Sequence, residues 1–522
     1  MPSVKMSDTA NSSCTTLVVT PGASADGKMR VAHSCDDSLA DHRIVYVPAQ
    51  DWPKGSMRPI YPSGICEEAL PQWHAYIIPR LYVPSRKDRY SESMGQTLPT
   101  MPIGEIPQVS HTYAYLDGNY GIMNEAGLMF GECTCKAANQ CQPEPAKRIF
   151  YSSELMRVAL ERCAKAVDAI ALIGSLIEEY GYYGTGETVI VADANDAWVM
   201  EMAPTPEGTS GFWIAQQVPD GEFFVEANLF RIREVRPGAP DQMMCSRLAE
   251  EAKTTQGLDW TDCFSRGEYH HPYYSLRRTW RAMDMVAPSL NLPWKAENHL
   301  TMQPFSVKPD RPISREDLFR IYRDHYEGTQ FDLTKGAAAG PWGNPNHHRP
   351  TAEEESTGAW ERAISMVDTG YAYICEPDEI CWMAMGRPAE VPFVPLAVAE
   401  PPREFSQGSP MEFDPEGCAW WRYNLVSQFA ELRYCHAIQD ISRAQQLAEG
   451  RAALALERGE NSPAVLNRLA KATLDEWKNL FALLVVSNDQ GYTSTPDNLA
   501  QKEPQNPDFL KAVGFHDGPV KY

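Results

Sequence analysis

The sequence lacks any long hydrophobic run, because no stretch approaches the roughly 18 consecutive apolar residues that identify a membrane-spanning helix. It also lacks a secretory signal, since the first 13 residues hold one lysine and no apolar core. The final residues, VKY, match no signal for peroxisomal import or reticulum retention. These absences predict a cytoplasmic protein that does not insert into membranes.

Positive charge is scarce. The 522 residues include 47 Lys and Arg against 69 Asp and Glu, a net charge of −22. Such a surface repels the phosphates of nucleic acids and of anionic membranes, so neither is an expected partner. With 43% hydrophobic and 22% charged residues, the composition is that of a globular protein long enough to bury a large core.

Cysteine is present, but not in the dense, even pattern of a small disulfide scaffold. The chain has 13 cysteines, which predicts that most are reduced thiols in the core. Cys133, Cys135 and Cys141 lack the matched pairs of a zinc site, and His270–His271 and His347–His348 are distant in sequence. We therefore predict no metal and no cofactor.

A β-hairpin is predicted at the start of the chain. A polar leader gives way at Cys14 to CTTLVVT, a β-branched run typical of a strand. A turn at Asp26–Gly27 leads into a second strand that passes through His33. This hairpin brings Cys14 close to Cys35 and Asp36.

Further strand pairs and helices follow. ETVIVAD and AWVMEMA predict one hairpin, and GFWIAQQV and EFFVEAN predict another across Pro219–Asp220–Gly221. A helical block begins at residue 152 and precedes the first of these hairpins. Ser153 is its predicted cap, and Gly181 lies at its end. Two more helical stretches begin at Trp420 and Ser462. Antiparallel strands with helices outside them predict an α+β fold of layered sheets.

Cys14 is the leading candidate for chemistry. If the leader were cut, the thiol and a free α-amino group would belong to one residue, and an amine with a reference pKa near 8 can accept the thiol proton. An ordinary strand cysteine has the same local pattern. The residues around Cys14 alone leave both interpretations open.

The order of the motifs along the chain adds a resemblance. The sequence resembles the dipeptidase family of N-terminal-nucleophile cysteine peptidases, the type of lactic-acid-bacterial dipeptidase A, with secernins and acylases as distant relatives. The similarity runs from Cys14 to about Pro395, and more weakly to about residue 445. It is carried by CTTLVVTPGASADGKMRVAHSCDD, GIMNEAGLMFGECT, ETVIVADANDAWVMEM, WIAQQVPDGEFFVEANLFRI, RRTWRAM and RDHYEGTQFDLTKGAAAGPWG.

The resemblance implies an α+β, four-layer αββα N-terminal-nucleophile hydrolase fold with helical C-terminal additions. It implies a leader over residues 1–13 that is removed, a catalytic domain over 14–400 and a mainly helical region over 401–522. The implied activity is hydrolysis of dipeptides or short amides through a thioester on Cys14, with no cofactor and a small peptide as the partner.

The resemblance also assigns roles to the main site residues. Cys14 is the nucleophile, and its freed amine is the base. Asp36 matches the aspartate that orients this amine, and Asn228 matches an asparagine that donates to the oxyanion. Arg278 and Arg281 match a basic pair that favours the thiolate or binds a substrate carboxylate.

Three further residues are expected to bind substrate or support the site. His33 stands where the distant acylases have an arginine, and Thr134 stands where they have a second oxyanion asparagine. Asn124 begins the NEAGL turn and is expected to support the site from behind.

Two other functions fit the same resemblance. One is an acylase for N-acyl amino acids or lipid amides, and the other is a non-catalytic, secernin-like interaction protein. The joint presence of Cys14, Asp36 and Asn228 argues against the second. Whether copies of the chain form a homo-oligomer is left open.

Overall fold

The architecture of the protein is seen in a computed structural model. It describes residues 13–37, 41–62, 100–255, 257–268, 273–294, 303–346, 361–408, 413–487, 492–494, 500–502 and 507–514. Two large antiparallel sheets form its centre, with seven and eight strands.

The seven-stranded sheet contains the predicted nucleophile. Its strands are β1 (Ser13–Val19), β2 (Arg30–Asp36), β14 (Phe223–Glu226), β16 (Ser306–Val307), β17 (Tyr371–Glu376), β18 (Ile380–Ala384) and β19 (Val394–Ala397). Their order is β16-β14-β1-β2-β17-β18-β19. The predicted first hairpin is confirmed, because β1 pairs with β2 and Cys14 lies opposite Cys35.

The eight-stranded sheet has the order β15-β13-β12-β11-β10-β9-β8-β3. Its strands are β3 (Val45–Val47), β8 (Tyr115–Asp117), β9 (Gly121–Asn124), β10 (Met129–Cys135), β11 (Gly186–Ala192), β12 (Ala197–Ala203), β13 (Phe212–Gln217) and β15 (Gln242–Met244). Short two-stranded ribbons pair β4 (Gln50–Asp51) with β7 (His111–Thr112), β5 (Met57–Ile60) with β6 (Gly104–Pro107), and β20 (Tyr492–Ser494) with β21 (Ala500–Lys502).

The two sheets pack face to face, with β1 against β10. Gly131 of β10 allows this close approach, because a Cβ added there would lie 2.1 Å from Thr16 Oγ1. The Tyr373 hydroxyl donates to the carbonyl of Phe130 across the same interface at 2.9 Å. This packing places the start of β1 next to the end of β10.

Helices cover the eight-stranded sheet on its outer face. α1 (Ser152–Arg162) and α2 (Ala166–Tyr180) share one apolar core with β11, β12 and β13. Gly174 in α2 fits closely over Trp213, since a Cβ on Gly174 would lie 2.3 Å from that ring. The short helices α3 (Ser246–Thr255) and α4 (Trp260–Phe264) join the same core.

The seven-stranded sheet is covered by α5 (Leu276–Val286) and α6 (Arg315–Tyr322) and by helices near the C-terminus. These last are α7 (Ala419–Ala430), α8 (Tyr434–Glu457) and α9 (Pro463–Ser487), and α10 (Pro507–Ala512) follows. Trp477 of α9 and Trp382 of β18 belong to one hydrophobic core. The predicted four-layer αββα fold with helical C-terminal additions is confirmed, whereas the division at residues 13 and 400 stays a prediction.

Three local predictions were wrong. β13 and β14 do not form a hairpin: β13 pairs with β12 and β15, while β14 pairs with β1 and β16 in the other sheet. The helical block is two helices, separated at Cys163, and the cap of the first is Tyr151 rather than Ser153. Gly181 ends the second helix with a φ of 76°, as predicted.

Candidate active site

Cys14 is fully buried near the start of the central strand β1. Its Sγ donates to Glu132 Oε2 at 3.5 Å. Its carbonyl oxygen accepts from Arg278 Nη1 at 2.7 Å and from the Cys133 thiol at 3.1 Å. Both sheets therefore contribute to the surroundings of this one residue.

Arg278 forms hydrogen bonds to site residues that are far apart in the sequence. It lies on α5, whose first turn is held by Glu268 through the backbone N–H groups of Ser275 and Leu276. Besides the carbonyl of Cys14, its guanidinium donates to Asn228 Oδ1 at 2.7 Å. Burial, with the nearby Arg362 charge, lowers the pKa of Arg278. Because the guanidinium is buried, its N–H donors need acceptors within the protein, and these two carbonyl oxygens are among them.

Asn228 follows β14 in the left-handed backbone region, with a φ of 68°. Asparagine tolerates this conformation better than most residues. Its Nδ2 donates to the Thr134 carbonyl at 2.7 Å, and its backbone N–H donates to Cys133 Sγ at 3.1 Å. An amide nitrogen carries two hydrogens, and the Thr134 carbonyl takes one of them.

Asp36 ends β2 opposite Ser13 and is fully buried. Its carboxylate accepts from Arg362 Nη2 at 2.5 Å and from Thr369 Oγ1 at 2.6 Å. The Ser34 hydroxyl also donates to it at 3.2 Å. The backbone position beside the Ser13–Cys14 bond therefore carries a buried negative charge, which Arg362 balances.

His33 of β2 is buried and neutral. Burial lowers its pKa to about 4, although the Asp36 charge acts the other way. Nδ1 lies 2.8 Å from the Glu132 carbonyl, which can only accept, and 3.4 Å from the Glu132 backbone nitrogen, which can only donate. The shorter contact favours the tautomer with the hydrogen on Nδ1. Among the described residues, Nε2 has no hydrogen-bond partner.

Glu132 is a site residue that sequence reasoning missed. Its Oε2 faces the Cys14 thiol, and its Oε1 accepts from the Thr134 hydroxyl at 3.0 Å. Burial raises the pKa of Glu132 well above its usual range, and the neighbouring Cys14 and Glu187 charges add to this effect. The signal was an acid inside the apolar strand MFGECTC.

Three further strand glutamates are buried without an ion pair among the described residues. Glu187, Glu201 and Glu226 lie on β11, β12 and β14. Burial raises the pKa of Glu187 and of Glu226 to about 7 and that of Glu201 to about 8. Each has one carboxylate oxygen without a hydrogen-bond partner among the described residues.

Arg362 is a second missed residue. It is fully buried and 326 positions from Asp36 in the chain. Burial works against its charge, but Asp36 outweighs that cost and raises the pKa of Arg362 above its usual range. The segment around it shows no periodic pattern, so nothing in the sequence points to it.

Two predicted residues lie outside this group. Asn124 donates to the carbonyls of Leu160 and Cys163, at 2.8 Å each, and so fixes the turn after β9 to the end of α1. Arg281 pairs with Asp324 at 2.6 Å. The contacts of both side chains are structural rather than part of the Cys14 surroundings.

The thiols of the cysteines that resembled an imperfect zinc site contact different groups. Cys133 contacts the Cys14 carbonyl, Cys135 donates to Glu226 Oε1 at 3.4 Å, and Cys141 donates to the Tyr182 carbonyl at 3.6 Å. The pairs His270–His271 and His347–His348 lie outside the described residues. A different trio offers metal ligands, because donor atoms of Cys14, His33 and Glu132 all lie within 4.8 Å of one another.

The Cys14 thiol is protonated in this arrangement. Burial raises its pKa well above the usual range, and the Cys35 thiol and the Asp36 charge add to the effect, while the Asp36 backbone N–H opposes it. Ser13 precedes Cys14 in β1, so the Cys14 nitrogen is an amide and not a base. In this arrangement the Cys14 nitrogen therefore cannot accept the proton of the candidate nucleophile.

Comparisons with known proteins identify the family of this chain. The sequence model for Peptidase family C69 matches residues 86–447. The chain belongs to peptidase family C69. C69 is a family of peptidases, so this membership supports the predicted peptidase activity. The matched residues begin after Cys14, so they include Asn228 and Arg278 but not the candidate nucleophile.

Individual relatives of this C69 protein are more distant. It is 26% identical over 285 residues to a probable dipeptidase of Latilactobacillus sakei, covering 52% of this chain and about half, 54%, of that protein. It is 23% identical over 478 residues to probable dipeptidase A of Streptococcus pyogenes serotype M1, covering 85% and 87% of the two chains. A solved structure of penicillin V acylase from Agrobacterium tumefaciens aligns at 12% identity with a TM-score of 0.32, covering 76% of this chain and 93% of the other.

Within the described ranges, no helix combines the length and apolar character needed to cross a bilayer.

Proposed function

We propose that this C69 protein is a cysteine dipeptidase, made as a precursor in which removal of residues 1–13 turns Cys14 into an N-terminal nucleophile. One observation carries the proposal: the Arg278 guanidinium joins the Cys14 carbonyl and the Asn228 carboxamide in one buried network. The names of the Latilactobacillus and Streptococcus relatives support dipeptides as substrates.

The precursor is expected to be nearly inactive. Its thiol is buried and protonated, and the neighbouring nitrogen is an amide. Cleavage between Ser13 and Cys14 would create an α-amine, whose reference pKa is about 8. This amine would appear on the backbone opposite Asp36, because Ser13 and Asp36 are paired in register. The carboxylate would then orient the amine toward the thiol of the same residue.

The reaction then proceeds in two acyl transfers. The amine takes the thiol proton, and the thiolate attacks the peptide carbonyl carbon, whose π electrons move to the oxygen. The second N–H of the Asn228 amide is available to hold this oxyanion. The ammonium returns its proton to the leaving amino group as the C–N bond breaks, and water then hydrolyses the thioester.

Roles for the remaining predicted residues follow from their contacts. Arg278 holds Cys14 and Asn228 in position, and Thr134 does the same for Glu132 and Asn228. Arg362 pairs with Asp36 within a buried site and so fixes the position of that carboxylate. Because the described cysteines are free thiols, as is usual in a reducing compartment, we further propose that the enzyme acts in the cytoplasm.

The test is the mature terminus together with a substrate panel. Intact mass and amino-terminal sequencing of protein from its native cell should give a chain that begins at Cys14. The same preparation should hydrolyse dipeptides faster than N-acyl amino acids. An active chain that still begins at Met1 or Pro2 would contradict the amine as base, and the reverse substrate preference would identify an acylase. A chain that begins at Cys14 and cleaves neither substrate would be a non-catalytic relative.

A further inference from the structure

We propose that Cys14, His33 and Glu132 form a zinc site at the candidate nucleophile, in which Zn²⁺ holds the thiolate and blocks it. Binding of the metal does not depend on the proposed dipeptidase activity. The blocking effect does rest on that proposed function.

The three donor atoms suit one small cation. Cys14 Sγ and Glu132 Oε2 are 3.5 Å apart. Ligand distances of about 2.3 Å for sulfur and 2.0 Å for oxygen place two ligands of a tetrahedral zinc about 3.5 Å apart. One ring nitrogen of His33 lies within 4.8 Å of both other donors. A side-chain adjustment that brings Nε2 to roughly 3.5 Å from them would complete the set.

His33 is already arranged as a metal ligand. Ligating histidines usually donate their other ring N–H to a carbonyl or carboxylate, which fixes the tautomer and the orientation. Nδ1 of His33 donates to the Glu132 carbonyl at 2.8 Å. Nε2 therefore carries the lone pair, and it is buried without a partner among the described residues. A bound cation would satisfy this nitrogen.

A hydrogen bond also orients Glu132 as a metal ligand. Its Oε1 accepts from the Thr134 hydroxyl at 3.0 Å, which leaves Oε2 directed at the Cys14 thiol. The ligands come from three different strands, β1, β2 and β10. The folded sheets, rather than a local sequence motif, therefore create the site, which explains why the spacing of cysteines and histidines did not reveal it.

Charge and donor type favour zinc over other cations. Thiolate and imidazole ligands select zinc or its transition-metal neighbours, whereas magnesium and calcium prefer oxygen. On binding, the Cys14 thiol loses its proton to solvent, and so does the Glu132 carboxyl where it is protonated. Zn²⁺, one thiolate, one carboxylate and a neutral histidine then sum to zero charge. A neutral assembly is the one that a fully buried position tolerates best. The fourth position is left for water.

Coordination would also prevent catalysis. The lone pair that attacks a substrate carbonyl is the one that a zinc–thiolate bond occupies. In the precursor, the same bond would hold the thiol away from the Ser13–Cys14 peptide. Zinc is thus expected to inhibit turnover reversibly, and a chelator should restore it.

The first test measures metal binding alone, on the full chain. Titration with Zn²⁺ against a chromophoric chelator should give one tight site per chain, and Co²⁺ should give a thiolate-to-cobalt charge-transfer band. Because even outer-shell changes cost about 10- to 100-fold in affinity, Cys14→Ser and His33→Asn should weaken zinc binding by more than about 100-fold. His33→Asn keeps a donor for the Glu132 carbonyl. Glu132→Gln should weaken binding about 10-fold or more.

The matched control is Cys35→Ser, which removes the thiol directly opposite Cys14 in the sheet. It should keep the charge-transfer band and the affinity within about threefold, since the loss of a supporting group costs at least 10-fold. A wild-type chain without the band would overturn the proposal, as would a band that persists in Cys14→Ser.

The second test needs no variant and so cannot fail through misfolding. Iodoacetamide reaches the buried Cys14 of the unaltered protein only when the chain opens transiently, so labelling is followed over time by peptide mapping. Cys14 should be labelled more slowly with Zn²⁺ than without it, and chelator should restore the faster rate. Equal labelling with and without Zn²⁺ would overturn the site. Protection of Cys14 in a chain that hydrolyses no dipeptide would leave the zinc site standing and contradict the proposed function instead. Stimulation of hydrolysis by Zn²⁺ would show that the metal does not block the nucleophile.

Discussion

Buried carboxylates differ in their ion pairs and hydrogen-bond partners between two regions of this molecule. In the C-terminal helical layer, Glu449 is paired with Arg323 and also accepts the backbone N–H of Phe393 at 2.9 Å. On the strands around Cys14, Glu187 and Glu226 are equally deep, and each has an oxygen without a partner among the described residues. Unpaired buried acids cost stability. The contrast indicates that the strands around Cys14 carry polar groups for chemistry, whereas the helical layer carries them for packing.

The largest expected effect, and the strongest test of this difference between the two regions, comes from replacing the proposed nucleophile. Cys14→Ser should lower kcat/KM for dipeptides by more than about 10⁴-fold, as loss of a covalent nucleophile does elsewhere. Cys35→Ser, at the paired position of β2, should change kcat/KM by less than about threefold. Steady-state kinetics on both folded variants check this. Alkylation of Cys35 that abolishes activity while Cys14 stays unmodified would reverse the assignment.

A change in the helical layer should affect stability and leave catalysis alone. Trp477→Ala removes a fully buried ring that meets Tyr423 edge to face, at 5.7 Å between centroids. It should lower the free energy of unfolding by about 3–5 kcal/mol, measured by urea denaturation, with kcat unchanged at temperatures where the variant is folded. Leu483→Ala, on the same helix but 52% exposed, should cost no more than about 0.5 kcal/mol. A large loss of kcat in folded Trp477→Ala would show that the two regions are not separate.

Asn228 tests whether the site stabilises an oxyanion. Asn228→Ala should reduce kcat by roughly 10²–10³-fold, the usual cost of one such donor. Asn291→Ala is the matched control, because Asn291 also has a left-handed backbone, with a φ of 46°, but is exposed. Both variants carry the strain of alanine in that conformation. Equal kinetic losses in the two would assign the effect to the backbone rather than to the amide.

The smallest predicted effect concerns pH and Glu201. Burial raises the pKa of Glu201 to about 8 in the folded chain, whereas the unfolded chain ionises it near 4.5. The folded state therefore keeps a proton that the unfolded state releases, so wild-type stability falls as pH rises through this window. Glu201→Gln should match wild type at pH 5 and exceed its free energy of unfolding by a few kcal/mol, roughly 3, at pH 9. Thermal unfolding at both pH values checks this, and a difference independent of pH would contradict it.

Local sequence patterns predicted individual strands and turns better than they predicted which strands pair. The hairpin that pairs Cys14 with Cys35 is correct, because its turn and both strands are adjacent in sequence. The Pro219–Asp220–Gly221 turn is also present, yet it carries the chain from one sheet to the other. A turn signal specifies a reversal of direction and not the strand that will lie alongside.

The candidate site shows the same limit. Cys14, Asn228 and Arg278 could be named from motifs, and the structure brings them into contact. Arg362 could not be found, because its pairing with Asp36 spans 326 residues. Glu132 was visible as an acid in an apolar strand, and that signal could have been used, since a charge among buried residues needs a reason.

Ser13 remains a strand residue, paired in register with Asp36, so the bond proposed for cleavage lies inside a sheet and not in a loose tail. The groups around that bond are delivered late in synthesis, Arg278 by α5 and Arg362 from just before β17. A half-made chain therefore lacks the parts that would activate it. Under the proposed maturation, cleavage would then follow completion of the fold, and a misfolded chain would keep the Cys14 nitrogen as an amide and stay inert.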